Sequence, residues 1–497
     1  MTSLDAWIPL LVLLTSFVTG VIILALGEHR VAARTALNLI GAVAKMGLVA
    51  MMLWGVFHGH EYQTRIPFLP GFDLVLRADG MTVLFSTLSA GLWLLTTIYA
   101  IGYLENSPFR RRFFGYFSFC VTATMGVSLA GNLVTFFLFY EMLTLTTYPL
   151  VVHRGNEKSI KAGTLYLAYT LGGSALFLVG MVWLYSIAGA FDFTETGVLS
   201  ALPSSTHGSL VIIFFLFMLG AGVKAALFPL HAWLPSAMVA PAPVSALLHA
   251  VAVVKAGAFG MVRIVYDVFG IEFAETLQVL TPFMIMASFT ILYGSARALV
   301  QDDFKKRLAF STVSQVSYIL LGITLFGPLG TVGGLVHLVH QGVMKITMFF
   351  AAGNIAETLH LHKISELKGV GRRMPLTMGA FSIAALGMIG VPPLAGFISK
   401  WYLGLGAVES GNNWVLLVLA ASSLLNAAYF LPILRVAWFE RPDRVWEERH
   451  ARGWLEASWW LVIPPVVTAL LTVLVGLFAG SDYSPLQWAL LITGREY

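Results

Sequence analysis

The chain has 497 residues, 58% of them hydrophobic and 11% charged, with a mean hydropathy of +0.82. A soluble domain carries roughly a quarter charged residues, so a soluble fold is excluded and the solvent of this chain is lipid. The formal net charge of +5 is modest; its placement in loops tells more than its sign, and no nucleic-acid partner is expected.

A bilayer core needs about 20 apolar residues per spanning helix. By that measure about fourteen spans are predicted, near 6–27, 33–57, 79–103, 112–130, 133–152, 161–188 and 209–228, then 243–267, 277–298, 306–326, 330–352, 377–404, 412–435 and 457–479. The predicted fold is an all-α polytopic membrane protein, with 1–497 as a single transmembrane domain. The first span follows Met1-Thr-Ser-Leu-Asp5 without a basic stretch or a small-residue cleavage site, which predicts a retained helix. Cys120, the one cysteine, lies in the apolar run Phe113 to Ala130 with no metal-ligand spacing around it. No metal or cofactor is expected. Joints as short as Gly131-Asn132 and Gly327–Gly330 make neighbouring spans antiparallel.

Basic residues set orientation. Arg30 and Arg34 fall in the first loop, Arg110–Arg112 in the third, and Arg154, Lys158 and Lys161 in the fifth. Lys305–Arg307, Lys363 to Arg373 and Arg435 to Arg452 fall in the ninth, eleventh and thirteenth. The intervening loops carry few, Arg65 and Arg77 in the second. The seventh loop has no Lys or Arg and is the exception. The basic side is predicted to be cytoplasmic, with both termini outside a bacterial inner membrane. The longest polar stretch, Glu440 to Glu456, predicts one short interfacial helix.

Ionisable groups inside a span are expensive, so each is a functional candidate. Glu141 sits mid-span in Phe136-Phe-Leu-Phe-Tyr-Glu141, with nothing near it in sequence to neutralise it. Lys224 lies in Leu219-Gly-Ala-Gly-Val-Lys224, five residues before Pro229. His249 and Lys255 share the eighth span; six residues apart on a continuous helix, they project about 120° from each other. His337, His340 and Lys345 lie in the eleventh span, and Lys400 follows Pro392-Pro393 in the twelfth. Lys45 and Arg263 are read differently, as long side chains that snorkel to the headgroups.

Proline in a helix removes a backbone hydrogen bond, and in lipid the freed carbonyls need partners. Two such interruptions are predicted, Leu227-Phe-Pro229 to Pro235 and Gly390-Val-Pro392-Pro393, each with a buried lysine close by. Paired interruptions in corresponding parts of two halves point to an inverted-repeat transporter's site. A carboxyl and a lysine near each other stabilise each other's charged forms. At about 6 Å and an effective dielectric near 20, the coupling of Glu141 to Lys224 is roughly 3 kcal/mol. A proton or cation arriving at one group then ejects a proton from the next.

Phe228-Pro-Leu-His-Ala-Trp-Leu-Pro-Ser-Ala-Met-Val-Ala-Pro-Ala-Pro-Val-Ser-Ala-Leu-Leu-His249 strongly resembles the antiporter-like membrane subunits. Those include the large subunits of Mrp-type sodium/proton antiporters and the pumping subunits of respiratory complex I. Asp302-Asp-Phe-Lys-Lys-Arg-Leu-Ala-Phe-Ser-Thr-Val-Ser-Gln-Val-Ser-Tyr318 and Pro392-Pro-Leu-Ala-Gly-Phe-Ile-Ser-Lys400-Trp agree with it. The resemblance implies fourteen helices with two inverted five-helix repeats, helices 4–8 (about 112–267) and 9–13 (about 277–435), broken at helices 7 and 12. It implies a charged axis of Glu141, Lys224, His249, Lys255, His337, Lys345 and Lys400 carrying protons or monovalent cations. Work alongside other subunits of a hetero-oligomeric complex is also implied.

Two residues depart from the family pattern. Ser236 stands where many relatives have Asp, and Gln341 where many have the histidine before Lys345, so the roles of His337 and His340 rest on less than that of Lys345. His249-Ala-Val-Ala-Val-Val-Lys-Ala-Gly-Ala-Phe is most similar to the D-type subunit of the Mrp antiporters. Lys400 in place of Glu, and a chain ending soon after the last span, speak against the middle and largest complex I pumping subunits. The expected function is proton translocation within a sodium/proton antiporter, with a proton-pumping subunit of a complex I-like oxidoreductase as the alternative.

Overall fold

The computed structural model describes residues 5–104, 107–443 and 456–497. Each predicted span coincides with a helix or with helices in series. Ten helices among the described residues are long and apolar enough to cross a bilayer. Several begin on side-chain caps that satisfy amides a helix start leaves unpaired. Asp79 accepts from the amide of Thr82 at 2.8 Å, Asn132 from Thr135 at 2.9 Å and Asp303 from Lys306 at 2.9 Å.

The eighth and eleventh spans, Ala242–Phe269 and Pro328–Leu359, form the centre: the most apolar stretch of each is wholly buried inside the protein. The peripheral helices Val31–Phe57 and Glu157–Ala188 bury only 39% and 33% of theirs, and turn apolar residues such as Ile40 and Val182 outward to lipid. His249, Lys255, His337 and Lys345 therefore ride on helices with no lipid-facing side.

The loops gather on two faces. On the basic face, the Arg111 amide donates to Glu28, Arg112 to the His153 carbonyl, and Phe304 and Ile364 cross-link the ninth and eleventh loops. On the opposite face, Asn132 reaches the Asp73 carbonyl, Thr194 that of Asp267, and Glu409 accepts from the Leu329 amide.

Three features differ from the sequence reading. The second loop is an antiparallel hairpin, Tyr62–Leu69 with Phe72–Ala78, whose Val75 amide and carbonyl are held by Thr135 and Gly131. The eighth span is not continuous: it consists of helices Ala242–Ala250 and Val253–Arg263, continued by a wider turn over Ile264–Phe269. A further helix, Pro485–Glu496, follows the last span. Of the interfacial helix predicted over 440–456, residues 444–455 lie outside the described ones. Glu456 itself caps the twelfth span through the amides of Leu376 and Thr377, at 2.9 and 2.6 Å.

Candidate functional site

Glu141 and Lys224 meet. Lys224 is the last residue of helix His207–Lys224, and its Nζ lies 3.9 Å from the Glu141 carboxylate, with the lysine fully buried and the acid 23% exposed. A cation at a helix C-terminus also sits at the negative end of the dipole. Lys224 donates to the Tyr140 carbonyl, lies 3.2 Å from the centre of the Tyr140 ring, and Glu141 accepts from Ser174. At 3.9 Å the pair is coupled by about 4 kcal/mol at an effective dielectric near 20.

The chain breaks directly after Lys224. Ala226 adopts φ +57° and the Phe228–Pro229 bond is cis. The Trp233 indole donates to the Val223 carbonyl at 2.8 Å, covering a group that the lost helical turn would leave unpaired. The second break, at Gly390 with φ +99°, has a cis Pro392–Pro393 bond and is closed by Lys400 itself. Its Nζ donates to the carbonyls of Met388 and Ile389 at 3.0 and 2.9 Å and to Ser423 at 2.9 Å, while Asn426 adds a bond to Met388 at 3.1 Å. Lys400 thus fills, at the second break, the role that broken helices in lipid require of a neighbour, and Trp233 fills it at the first.

Between the breaks lies a string of buried groups. His337 is hydrogen-bonded to Ser399 at 2.9 Å and stacks on Tyr318 at 5.0 Å; the Tyr318 ring is in turn 5.6 Å from Lys400 Nζ. The charges of Lys255 and Lys400 both act on His337, and Lys345 acts on both Lys255 and His249. Lys345 donates to Ser311 and lies 3.5 Å from the Leu308 carbonyl. His249 stacks on Phe349 at 4.5 Å. Both ring nitrogens of His249, the Lys255 ammonium and the side-chain amides of Gln315 and Gln341 have no hydrogen-bond partner among the described residues. Buried polar groups are nearly always paired with protein or water, so this stretch is suited to water-mediated transfer.

The break at Val251–Ala252 separates His249, in the last turn of one helix, from Lys255, in the first turn of the next. The 120° offset of a continuous helix does not apply to them. A basic cavity of about 270 Å³, lined by Arg154, Lys158, Lys305 and His362, opens on the basic face. Lys305 acts electrostatically on His249 and donates to the Ala240 carbonyl at 2.7 Å. Ser236, the family's usual Asp, bonds its own Ala232 carbonyl at 3.0 Å.

Two residues read as snorkelling do not snorkel. Lys45 is fully buried and donates to Ser16 at 2.6 Å, which pairs with Thr122 at 2.8 Å. Arg263, also buried, clamps Asp79 through two bonds of 2.8 and 2.9 Å and Asp267 through one of 2.9 Å. Asp267 stands four residues after Arg263, a spacing that puts the pair on one helix face; that signal was present in the sequence. Lys45 had no such signal, because its partners lie on other spans. Ser174, Ser311, Ser399 and Ser423 were equally silent. Ser399 borders Lys400, but a serine in an apolar helix is common and points nowhere.

Residues 130–426 match the family described as NADH:quinone oxidoreductase/Mrp antiporter, transmembrane. The N-type subunit of the NADH-quinone oxidoreductase of Desulforudis audaxviator is 36% identical over 423 residues, covering 82% of this chain and 82% of that one. The D-type subunit of the Na(+)/H(+) antiporter of Alkalihalophilus pseudofirmus is 25% identical over 479 residues, covering 95% and 94%. A chain of the Mrp complex from Dietzia sp. superposes with a TM-score of 0.85 at 23% identity, covering 100% of this chain and 97% of that one; this likeness shows the fold. With the match spanning more than half its length, the chain is a multi-pass membrane protein of the NADH:quinone oxidoreductase/Mrp antiporter family.

Proposed function

We propose that this chain is the D-type, proton-translocating subunit of a multisubunit sodium/proton antiporter. The observation that carries the reading is the Glu141–Lys224 pair, set at a helix break, with Lys255 and Lys400 both acting on His337 further into the interior. Protonation of Glu141 removes the partner that holds Lys224 charged, so the lysine's proton is released onward; deprotonation reverses this. His249 and Lys345 form the branch nearest the basic cavity. Lys224 ends one broken helix and Lys400 stitches the other, so the protonation of both is tied to local backbone geometry.

The two breaks support two inverted repeats, helices 4–8 and 9–13. In this reading the protein adds no covalent chemistry and holds no cofactor. It works beside other subunits, as the Mrp-complex relative does, in a bacterial inner membrane with its basic face in the cytoplasm and both termini outside.

A second reading, a pumping subunit of a complex I-like oxidoreductase, is favoured by the higher identity to the N-type oxidoreductase subunit than to the D-type antiporter subunit, 36% against 25%. Purification of the intact complex separates the two. Copurified iron–sulfur or hydrogenase subunits contradict the antiporter reading. Sodium-dependent proton exchange by everted vesicles holding the complete complex is its expected result.

A further inference from the structure

The Arg263 clamp belongs to a second cluster of titratable groups, away from the axis and on the face opposite the basic loops. Helix Pro485–Glu496 is seated there by Leu486, Trp488, Ala489 and Ile492, all buried. Ile492 lies where a Cβ on Gly80 would come within 2.9 Å of it, one residue from Asp79. Glu496, a turn further on, is 6% exposed, and its buried Oε2 has no hydrogen-bond partner among the described residues.

The groups acting on Glu496 are Asp267 and Arg263 from the eighth span, Asp79 at the start of the third, and Glu195 from the sixth loop. Arg77 acts on Asp79 and Asp267 and is anchored to the Phe193 carbonyl at 3.0 Å; Arg495 pairs with Glu195 at 3.5 Å. Four carboxyls, Asp79, Asp267, Glu195 and Glu496, thus stand against three guanidiniums, Arg77, Arg263 and Arg495. The cluster is one positive charge short, and Glu496 is the carboxyl without a cation of its own. It also sits at a helix C-terminus, where a negative charge is disfavoured. Burial, with the carboxylates of Asp267 and Asp79 beside it, pushes the Glu496 carboxyl well above its ordinary range.

Beside the cluster is a polar cavity of about 420 Å³, lined by His60, Glu61, Arg77, Asp79, Glu195 and Arg495 among others. From the other side, Tyr266 bonds Thr331 at 2.5 Å, and Thr331 bonds Tyr497 at 3.0 Å. Thr331 lies six residues before His337 on the eleventh span, about 9 Å along the axis.

We propose that Glu496, held among Asp79, Asp267 and Arg263, is a proton-exchange site between this cavity and the buried axis. Its carboxylate takes a proton from hydronium in the cavity, leaving water, and gives it back by the reverse step. The charge of Glu496 acts on Tyr266, and Thr331, which Tyr266 bonds, stands on the helix that carries His337. The proposal rests on the proton-translocating reading above and places the exchange point on the face away from the basic loops.

The test uses the complete complex in liposomes, with wild type, Glu496→Gln, Glu496→Asp and Glu141→Gln compared. Infrared difference spectra across a pH step read the site without transport. The expected result is a protonated-carboxyl band that is lost in Glu496→Gln and kept, shifted, in Glu496→Asp. Sodium-dependent proton exchange is expected to fall in Glu496→Gln and to recover in Glu496→Asp. A band unchanged by Glu496→Gln, or one that responds to sodium and not to pH, overturns the proposal. So does full exchange in Glu496→Gln when Glu141→Gln has lost it, a result that leaves the wider reading standing. Full exchange in Glu141→Gln, with the Glu496 band present, instead removes the wider reading.

Discussion

Lys224 and Arg263 are both buried basic residues, and their surroundings differ. Arg263 is held by bonds and counter-charges from Asp79, Asp267 and Thr82, and a guanidinium does not release its proton. Lys224 has one carboxylate at 3.9 Å, partly exposed, and an amine that can titrate. Lys224→Arg is therefore expected to keep the ion pair and complex assembly while abolishing exchange, measured as sodium-driven proton movement in vesicles of matched protein content. Retained exchange contradicts a proton-releasing role. Arg263→Met strands the buried Asp267 and the partly buried Asp79, at a cost of about 3–5 kcal/mol. The expected outcome is a much lower melting temperature of the purified complex; an unchanged one contradicts the clamp. The sequence made Glu141, Lys224 and Lys400 legible because a charge in an apolar run has no bland explanation. It left Arg263 ambiguous because a long side chain near a span end has two resting places, and only the partner carboxylates, one of them 184 residues away, decide between them.

The breaks in the seventh and twelfth spans were readable from Pro229, Pro392 and Pro393, since proline cannot continue the backbone ladder. The third break, at Val251–Ala252, carries no proline or glycine. It arises where the eighth span crosses its neighbours: a Cβ on Gly342 would lie 3.0 Å from the Ala250 carbonyl, and one on Gly257 2.4 Å from the Ala225 amide. Tertiary packing, invisible in one sequence, overrides local propensity there. The hairpin at Tyr62–Ala78 was missed for a similar reason, since its register is fixed by docking against Gly131 and Thr135. Close approach has a consequence at the twelfth span. A Cβ on Gly396 would come within 1.9 Å of the Gly387 carbonyl, one and two residues before the carbonyls that Lys400 holds. Gly396→Ala is expected to push the two half-helices apart, at about 1–3 kcal/mol, and to lower both complex yield and exchange. Wild-type exchange at wild-type yield contradicts the coupling of Lys400 to that break.

At the scale of the whole molecule, the alternating loops form two faces, and in the proposed orientation the face with the excess of Lys and Arg lies in the cytoplasm, as the positive-inside rule expects. Cys120, the one cysteine, is buried, so introduced cysteines report cleanly. Tyr483→Cys, on the face with Glu496, is expected to react with a membrane-impermeant thiol reagent in intact cells. His360→Cys, on the basic face, is expected to react only after permeabilisation; the reverse pattern contradicts the orientation. Across the interior, the proposed axis runs from Glu141 at one break to Lys400 at the other, by way of two helices whose most apolar stretches are wholly buried. The central claim is that ion exchange runs through the first link of that line. It is tested by sodium-dependent proton movement in everted vesicles carrying the complete complex, with wild type and Glu141→Ala side by side. The account predicts exchange in the wild type and none in Glu141→Ala at equal assembly; undiminished exchange in the variant contradicts it.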